Sequence, residues 1–289
     1  MATIRQIRRR IRSVASTAKI TKAMELVAAS KMRRAQMRAL AARPYAEKLR
    51  GVLADLAESL ESLHMEAVHP LLERREVRQI AIVLITPDRG LCGGLNANLN
   101  RRAAAFALEQ GEARVRLVCV GRKGRDFFAR AGYPIAGEFT KLGDYPSYED
   151  TLPISRLVMD DYVAGEVDRV FLIYPLFVNT VTQRPDVRQL LPVEPPAREA
   201  VKPVDYIYEP SSPEVLGELL PRYVEMIVYE AVLELSASEQ SARMVAMRNA
   251  TDAANEMIED LTLTYNKARQ EQITKEILDI VGGSVGLGT

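Results

Sequence analysis

The segment Thr86-Pro-Asp-Arg-Gly-Leu-Cys-Gly-Gly-Leu-Asn96 has the composition of a phosphate-gripping turn, and it directly follows the apolar run Gln79–Ile85. Glycine-rich turns between a strand and a helix bind phosphate because their backbone N–H groups can converge on the anion. The remaining parts of that chemistry are absent. No Gly-Lys-Ser/Thr follows, the glycines do not fit G-x-G-x-x-G, and Gly121-Arg-Lys-Gly124 reads as a basic turn. The glycines are better read as permitting a tight turn and letting a helix approach the sheet.

Other groups able to do bond chemistry are few. His64 and His69 are the only histidines, and a spacing of five puts them on different helix faces, which argues against a metal site. They read as solvated residues where a first helix gives out. Cys92 and Cys119 are the only cysteines, one in the glycine-rich turn and one in an apolar run; they offer no disulfide framework and read as inert core thiols. Asp160 and Asp161 lie in a helical pattern where solvation explains them. A Ser/His/Asp or Cys/His arrangement would need histidines at the strand-end loops. The expectation is therefore no catalytic residue, no bound cofactor and no metal in this chain.

The elements that would position these residues begin with apolar runs at Gln79–Ile85, Val115–Val120 and Arg169–Tyr174, which read as buried strands. Helical patterns at about 95–110 and 122–131 follow the first two, so the spacing predicts an α/β domain with a parallel, doubly wound sheet. Phe177–Arg184 alternates like a further strand, and the proline-rich stretch 192–203 reads as a linker.

Long helices flank this domain. Between Ala2 and Arg50 there is no glycine and only Pro44, and between Arg222 and Val281 there is neither glycine nor proline. Thr3-Ile-Arg-Gln6 fits a capping box, Ser211-Ser212-Pro213-Glu214 offers an N-cap serine, and Gly282-Gly283 supplies a stop. A kink is expected at Pro221. The boundaries predicted are a helix over 1–57, a linker over 58–76, the α/β domain over 77–195, a second linker over 196–210 and a helix over 211–289.

Charge separates the helices. Residues 1–50 hold fourteen Lys or Arg against two acids, a net of +12, while residues 211–289 hold six against thirteen, a net of −7. Laid side by side they should attract. An apolar stripe steps through Ile4, Ile7, Ile11, Val14 and Ala18 and resumes at Ile20, Met24, Val27 and Met32; the second helix offers Ala242, Val245, Met257, Leu261, Ile277 and Ile280 among others. Spacing near 3.5 favours a left-handed coiled coil.

With 289 residues and 47% hydrophobic content the chain can bury a full core, and no stretch approaches 18 continuous apolar residues. Its basic start resembles a mitochondrial targeting peptide, but the apolar stripe runs on into residues 24–40, so the segment reads as part of the helix.

Residues 17–36 (TAKITKAMELVAASKMRRAQ), 86–96 (TPDRGLCGGLN) and 238–270 (SEQSARMVAMRNATDAANEMIEDLTLTYNKARQ) resemble, in order and over nearly the whole chain, the gamma subunit of rotary F-type ATP synthase, bacterial type. The resemblance implies a central stalk: an antiparallel coiled coil of the terminal helices plus a central Rossmann-like α/β domain. It implies as partners the alpha and beta subunits in an alpha3beta3 ring, the epsilon subunit and the c-ring, with one copy of this chain per complex. ATP, ADP and Mg would bind on alpha and beta. The chain would lie at the cytoplasmic face of the plasma membrane, attached through the c-ring.

The same resemblance assigns contact residues. Met24, Arg269, Gln270 and Thr274 correspond to positions that touch beta; Tyr206, Tyr208 and Glu209 correspond to a foot on the c-ring or epsilon. Val281 and Val285 belong to a small, uncharged tip that would turn in the alpha3beta3 bearing. The inserted cysteine-bearing loop of chloroplast members has no counterpart here.

Two other classes compete. The basic first helix would suit nucleic acid or an anionic membrane, but Arg5, Arg8, Arg9, Arg10, Arg12, Lys19 and Lys22 spread around it instead of lining one face. A nucleotide-dependent enzyme built on the sheet would bind ATP or NAD by itself, which the glycine pattern does not support.

Overall fold

The computed structural model describes residues 3–62, 69–194, 209 and 211–286, with backbone alone at 57–62, 279 and 282–286. Two helices dominate, α1 (Ile4–Ser62) and α5 (Ser212–Gly286). Both halves of the first capping box form: Thr3 N donates to Gln6 Oε1 at 2.8 Å and Gln6 N to Thr3 Oγ1 at 3.3 Å. Ser211 Oγ accepts from Glu214 N at 3.4 Å at the start of α5. The expected stop at Gly282-Gly283 does not operate, since α5 continues to Gly286. Glycine costs a helix about 1 kcal/mol without forcing the chain to leave it. Pro44 and Pro221 both lie inside their helices.

The chain divides into two compact units, Ala28–Arg243 and the pair of segments Met1–Val27 and Met244–Thr289. In the larger unit a five-stranded sheet has the order β3-β2-β1-β4-β5, built from β1 (Gln79–Ile85), β2 (Arg114–Val120), β3 (Ile135–Phe139), β4 (Arg169–Phe177) and β5 (Gln183–Leu191). The first four are parallel and β5 runs antiparallel to β4. Helices α2 (Leu95–Glu109) and α3 (Arg122–Arg130) follow β1 and β2, and α4 (Tyr148–Val163) follows β3.

Strand alternation assigns the two faces. Ile80, Ile82, Leu84, Leu117, Cys119 and Ile173 pack against Ala103 and Phe106 of α2 and Phe128 of α3. Ala81, Val83, Ile85, Val118, Val120 and Leu172 pack against Ile154, Val158 and Tyr162 of α4, together with Leu49, Leu53 and Leu56 of α1 and Leu220, Val224, Val228 and Val232 of α5. A parallel strand covered on both sides reads as continuous hydrophobic sequence, which is why β1 was conspicuous.

Three expectations are corrected. Phe177–Arg184 is not a strand; it closes the β4–β5 hairpin, where Asn179 Oδ1 accepts from Val181 N and Thr182 N at 2.9 and 2.8 Å. An asparagine that bonds backbone two and three residues on makes a turn from an alternating sequence. His69 is not simply solvated: its Nδ1 accepts from Leu71 N at 3.2 Å, and burial pushes its pKa down. His64 lies outside the described residues. Gly121-Arg-Lys-Gly124 is more than a basic turn, because it is pressed against the end of β1. A Cβ on Gly121, at φ +91, would sit 1.8 Å from Thr86 O, and one on Gly124 would meet Thr86 Oγ1 at 2.9 Å.

Gly121→Ala should therefore destabilise the larger unit by about 3 kcal/mol or more, through collision and left-handed backbone strain together. Urea denaturation followed by circular dichroism would read this as a lower midpoint, whereas Gly132→Ala, with open space around its Cβ, should cost less.

Candidate functional site

The glycine-rich loop and the start of α3 lie at the carboxyl edge of the parallel strands, where an α/β sheet ordinarily receives its ligand. Here a side chain of the protein occupies the amino end of α3. Asp88 Oδ1 accepts from Arg122 N at 2.9 Å and Asp88 Oδ2 from Lys141 N at 2.8 Å. The carboxylate meets N–H groups and the positive end of a helix dipole, the interactions a phosphate would use. The adjoining cavity of about 340 Å³ is lined by Thr86, Asp88, Arg89, Gly121, Lys141 and Asp144 and closed by Val232, Leu235, Ser236 and Glu239 of α5.

Several charged groups in this region are paired. Lys31 Nζ holds Asp144 Oδ2 at 2.7 Å and draws its pKa down. Glu239 is largely buried; desolvation raises its pKa while Arg243, at 2.6 Å, opposes the rise. Cys92 and Cys119 are both buried, and burial pushes the Cys119 thiol up to about 11. A thiol so raised is a poor nucleophile at neutral pH.

The smaller unit is a pair of antiparallel helical segments. Arg8 Nη2 bonds Tyr265 Oη at 2.5 Å, and Arg248 Nε bonds Glu25 Oε1 at 3.1 Å. Seventeen residues forward along α1 are thus matched by seventeen back along α5. The covered positions of α1 are Ile7, Ile11, Val14, Ala18, Thr21 and Glu25; those of α5 are Met244, Met247, Thr251, Ala254, Ile258, Leu261, Tyr265 and Ala268. Both series alternate steps of three and four, the heptad repeat of a left-handed coiled coil.

This seam differs from the expected stripe after Ala18. The apolar residues Ile20 and Val27 are more than half exposed, as is Leu26, while Thr21 and Glu25 take the covered positions. On α5, Met257 is exposed and Ile258 faces the seam. Polar layers explain the shift: Thr21 Oγ1 and Thr251 Oγ1 lie 2.7 Å apart, and buried Glu25 takes Lys22 at 3.0 Å as well as Arg248. A polar residue at a seam position fixes register at some cost in stability. The Glu25–Arg248 pair also runs against the net charges of its helices, since the acid comes from the basic helix. Net charge alone could not have located it.

Of the residues assigned by resemblance, Met24 is half-buried beside the seam, and Arg269, Gln270 and Thr274 are exposed on α5. Val281 is exposed, Glu209 is exposed, the side chain of Val285 is not described, and Tyr206 and Tyr208 lie outside the described residues. The register explains the exposed group. α1 starts at Ile4, whose level on α5 is close to Arg269, so the rest of α5 runs on past the start of its partner. Ile273, Ile277, Leu278 and Ile280 are accordingly 42 to 71% exposed.

A family model described as ATP synthase matches residues 3–287. An ATP synthase gamma chain of Dehalococcoides mccartyi is 59% identical over 287 residues, covering 99% of this chain and 100% of that protein. One from Roseiflexus sp. is 51% identical over 290 residues, covering 99% of each. Among solved structures, a chain of the central stalk and c-ring of Tetrahymena thermophila mitochondrial ATP synthase is similar at a TM-score of 0.60 and 28% identity, covering 80% of this chain and 99% of that one. A chain of Euglena gracilis mitochondrial ATP synthase (OSCP/F1/c-ring) aligns at a TM-score of 0.68 and 18% identity, covering 98% and 94%, a likeness of fold.

The buried carboxylate gives the helix pair a pH signature. Lys22 first, and Arg248 with it, hold the Glu25 pKa below its ordinary 4.5, against desolvation. A depressed carboxylate contributes stability that is complete above the unfolded value and is lost as pH falls through the folded one. Glu25→Gln should therefore cost about 1–3 kcal/mol at pH 7, with the deficit shrinking below pH 4.5. Thermal melts from pH 7 to pH 3 would check this; a deficit that stays constant across that range would contradict it.

Proposed function

Because the chain belongs to the ATP synthase gamma-chain family, we propose a mechanical role for its helices: they turn as an axle within a ring of three alpha and three beta subunits. As a gamma chain it is a central-stalk rotor subunit and a part of an enzyme complex. Its own contribution is torque transmission between a membrane c-ring and the catalytic ring, which couples proton translocation to ATP synthesis or hydrolysis. Bond chemistry belongs to its partners, with ATP, ADP and Mg held on alpha and beta. Asp88 at the start of α3 supports that division, since a carboxylate already takes the N–H groups an anion would need.

The observation that carries the proposal is the end of α5 beyond the start of α1. A helix whose apolar residues stand in water needs a surrounding sleeve. Ile273, Ile277, Leu278 and Ile280 can turn against such a sleeve without the fixed orientation that ion pairs impose, while Arg269, Gln270 and Thr274 give beta a polar grip at one angle and Met24 on α1, which the register sets opposite residue 249, gives it a separate apolar contact. By the same family likeness, Tyr206, Tyr208 and Glu209 would meet the c-ring or epsilon. The chain then sits peripherally at the cytoplasmic face of the membrane through the c-ring. No described helix is long and apolar enough to cross a membrane.

Mixed with alpha and beta, the chain should co-purify in a one-to-three-to-three ratio and support ATP hydrolysis. Val281→Lys, or the same change at Val285, places a charge in the bearing and should slow hydrolysis by on the order of tenfold, equivalent to about 1.4 kcal/mol on the barrier. Undiminished hydrolysis in both variants would contradict the bearing assignment.

A further inference from the structure

Helices α1 and α5 leave the larger unit at Ala28 and Arg243, and directed polar contacts cluster beside both exits. Ser238 Oγ donates to Pro175 O at 3.2 Å, Ser241 Oγ to Thr180 O at 2.7 Å, and Arg243 Nη2 to Gly90 O at 3.2 Å. On α1, Lys31 Nζ donates to Asp144 Oδ2 at 2.7 Å. The acceptors come from the β1–α2 loop, the β3–α4 loop, the end of β4 and the β4–β5 turn, all at the carboxyl edge of the sheet. Resting on the rotor reading, we propose that these four contacts are a torque clamp that fixes the two helices against rotation and sliding within the larger unit.

The serines make the case. A helical serine left to itself bonds the carbonyl four residues back, as Ser236 does with Val232 O at 3.1 Å. Ser238 and Ser241 are fully buried yet turn outward to loop carbonyls instead. Phe177 N donates to Glu234 Oε2 of α5 at 2.9 Å, Tyr148 Oη to Glu225 and Arg34 Nη1 to Tyr145 Oη at 3.4 Å. The rest of the contact is largely apolar and non-directional, so it resists separation far better than rolling. Hydrogen bonds have preferred angles and supply the missing resistance to twist. Arg243 is itself held by Glu239 at 2.6 Å, which removes slack from the longest arm of the clamp. Beside it, Ala242 packs on the cluster Cys92, Leu95 and Leu99, so the glycine-rich loop bears on α5 by a backbone carbonyl and an apolar contact together.

The test uses the assembled complex of alpha, beta and this chain, with a bead attached at Leu108→Cys on the exposed end of α2; the native thiols are buried and will not label. Angular variance of the bead in the catalytic dwell reads torsional compliance. Ser238→Ala/Ser241→Ala removes two of the directed bonds and leaves those of Glu234, Glu225 and Arg34, and should raise the variance on the order of 1.5-fold, leaving unloaded ATP hydrolysis unchanged. Lys31→Asp should raise it as well, and Lys31→Asp/Asp144→Lys should restore it. Unchanged variance in both the serine and Lys31→Asp variants, or no recovery in the charge swap, overturns the clamp. Should the serine variant fail to assemble, Lys31→Asp and its swap decide alone. If the unsubstituted complex hydrolyses ATP without turning the bead, the rotor reading itself fails and takes the clamp with it.

Discussion

The register between α1 and α5 is the constraint on which the smaller unit depends. Tyr265 opposite Arg8, Thr251 opposite Thr21 and Arg248 opposite Glu25 set a single antiparallel alignment. An apolar seam of small residues could slip by a heptad at modest cost; a slip here would take the exposed Arg248 head away from the buried Glu25 carboxylate and leave it to Lys22 alone, a loss of about 1–3 kcal/mol. The alignment also decides where α1 ends relative to α5. It leaves Ile273, Ile277, Leu278 and Ile280 uncovered for a partner.

The larger unit solves a different problem with familiar parts. Its parallel sheet could present a ligand site at the carboxyl edge, yet each element there is turned to internal use. Asp88 takes the amino end of α3, Gly121 and Gly124 close the loop onto Thr86, and the carbonyls of Gly90, Pro175 and Thr180 receive donors from α5. A ligand-binding edge has become a mounting surface for helices.

Much of this was legible in the sequence because the signals were local. Strand β1 was read to its ends from a continuous apolar run, α2 from its helical pattern, and the Thr3–Gln6 box from spacing alone. The alternation of Phe177–Arg184 misled because an Asn179 turn can carry a strand-like pattern. Hydrophobicity points to Ile20 and Val27 beyond Ala18, whereas Thr21 is partly covered and Glu25 buried against partners more than two hundred residues away, Thr251 and Arg248. Those partnerships leave no periodic trace. Ser236 and Ser238 look alike in the sequence, and which serine bonds outward depends on the loops that meet it.

A cross-link through the Thr21–Thr251 layer tests the central claim most directly. The two hydroxyl oxygens lie 2.7 Å apart, so Thr21→Cys/Thr251→Cys puts two sulfurs face to face, with a short approach left to the S–S bond length of about 2.0 Å. Oxidation should join the helices within one chain, and the complex carrying the joined chain should hydrolyse ATP at the rate of its reduced form, because both helices turn as one body. Failure to form the link, or a link that halts hydrolysis and releases it on reduction, would show helices that are differently registered or that must slide past each other.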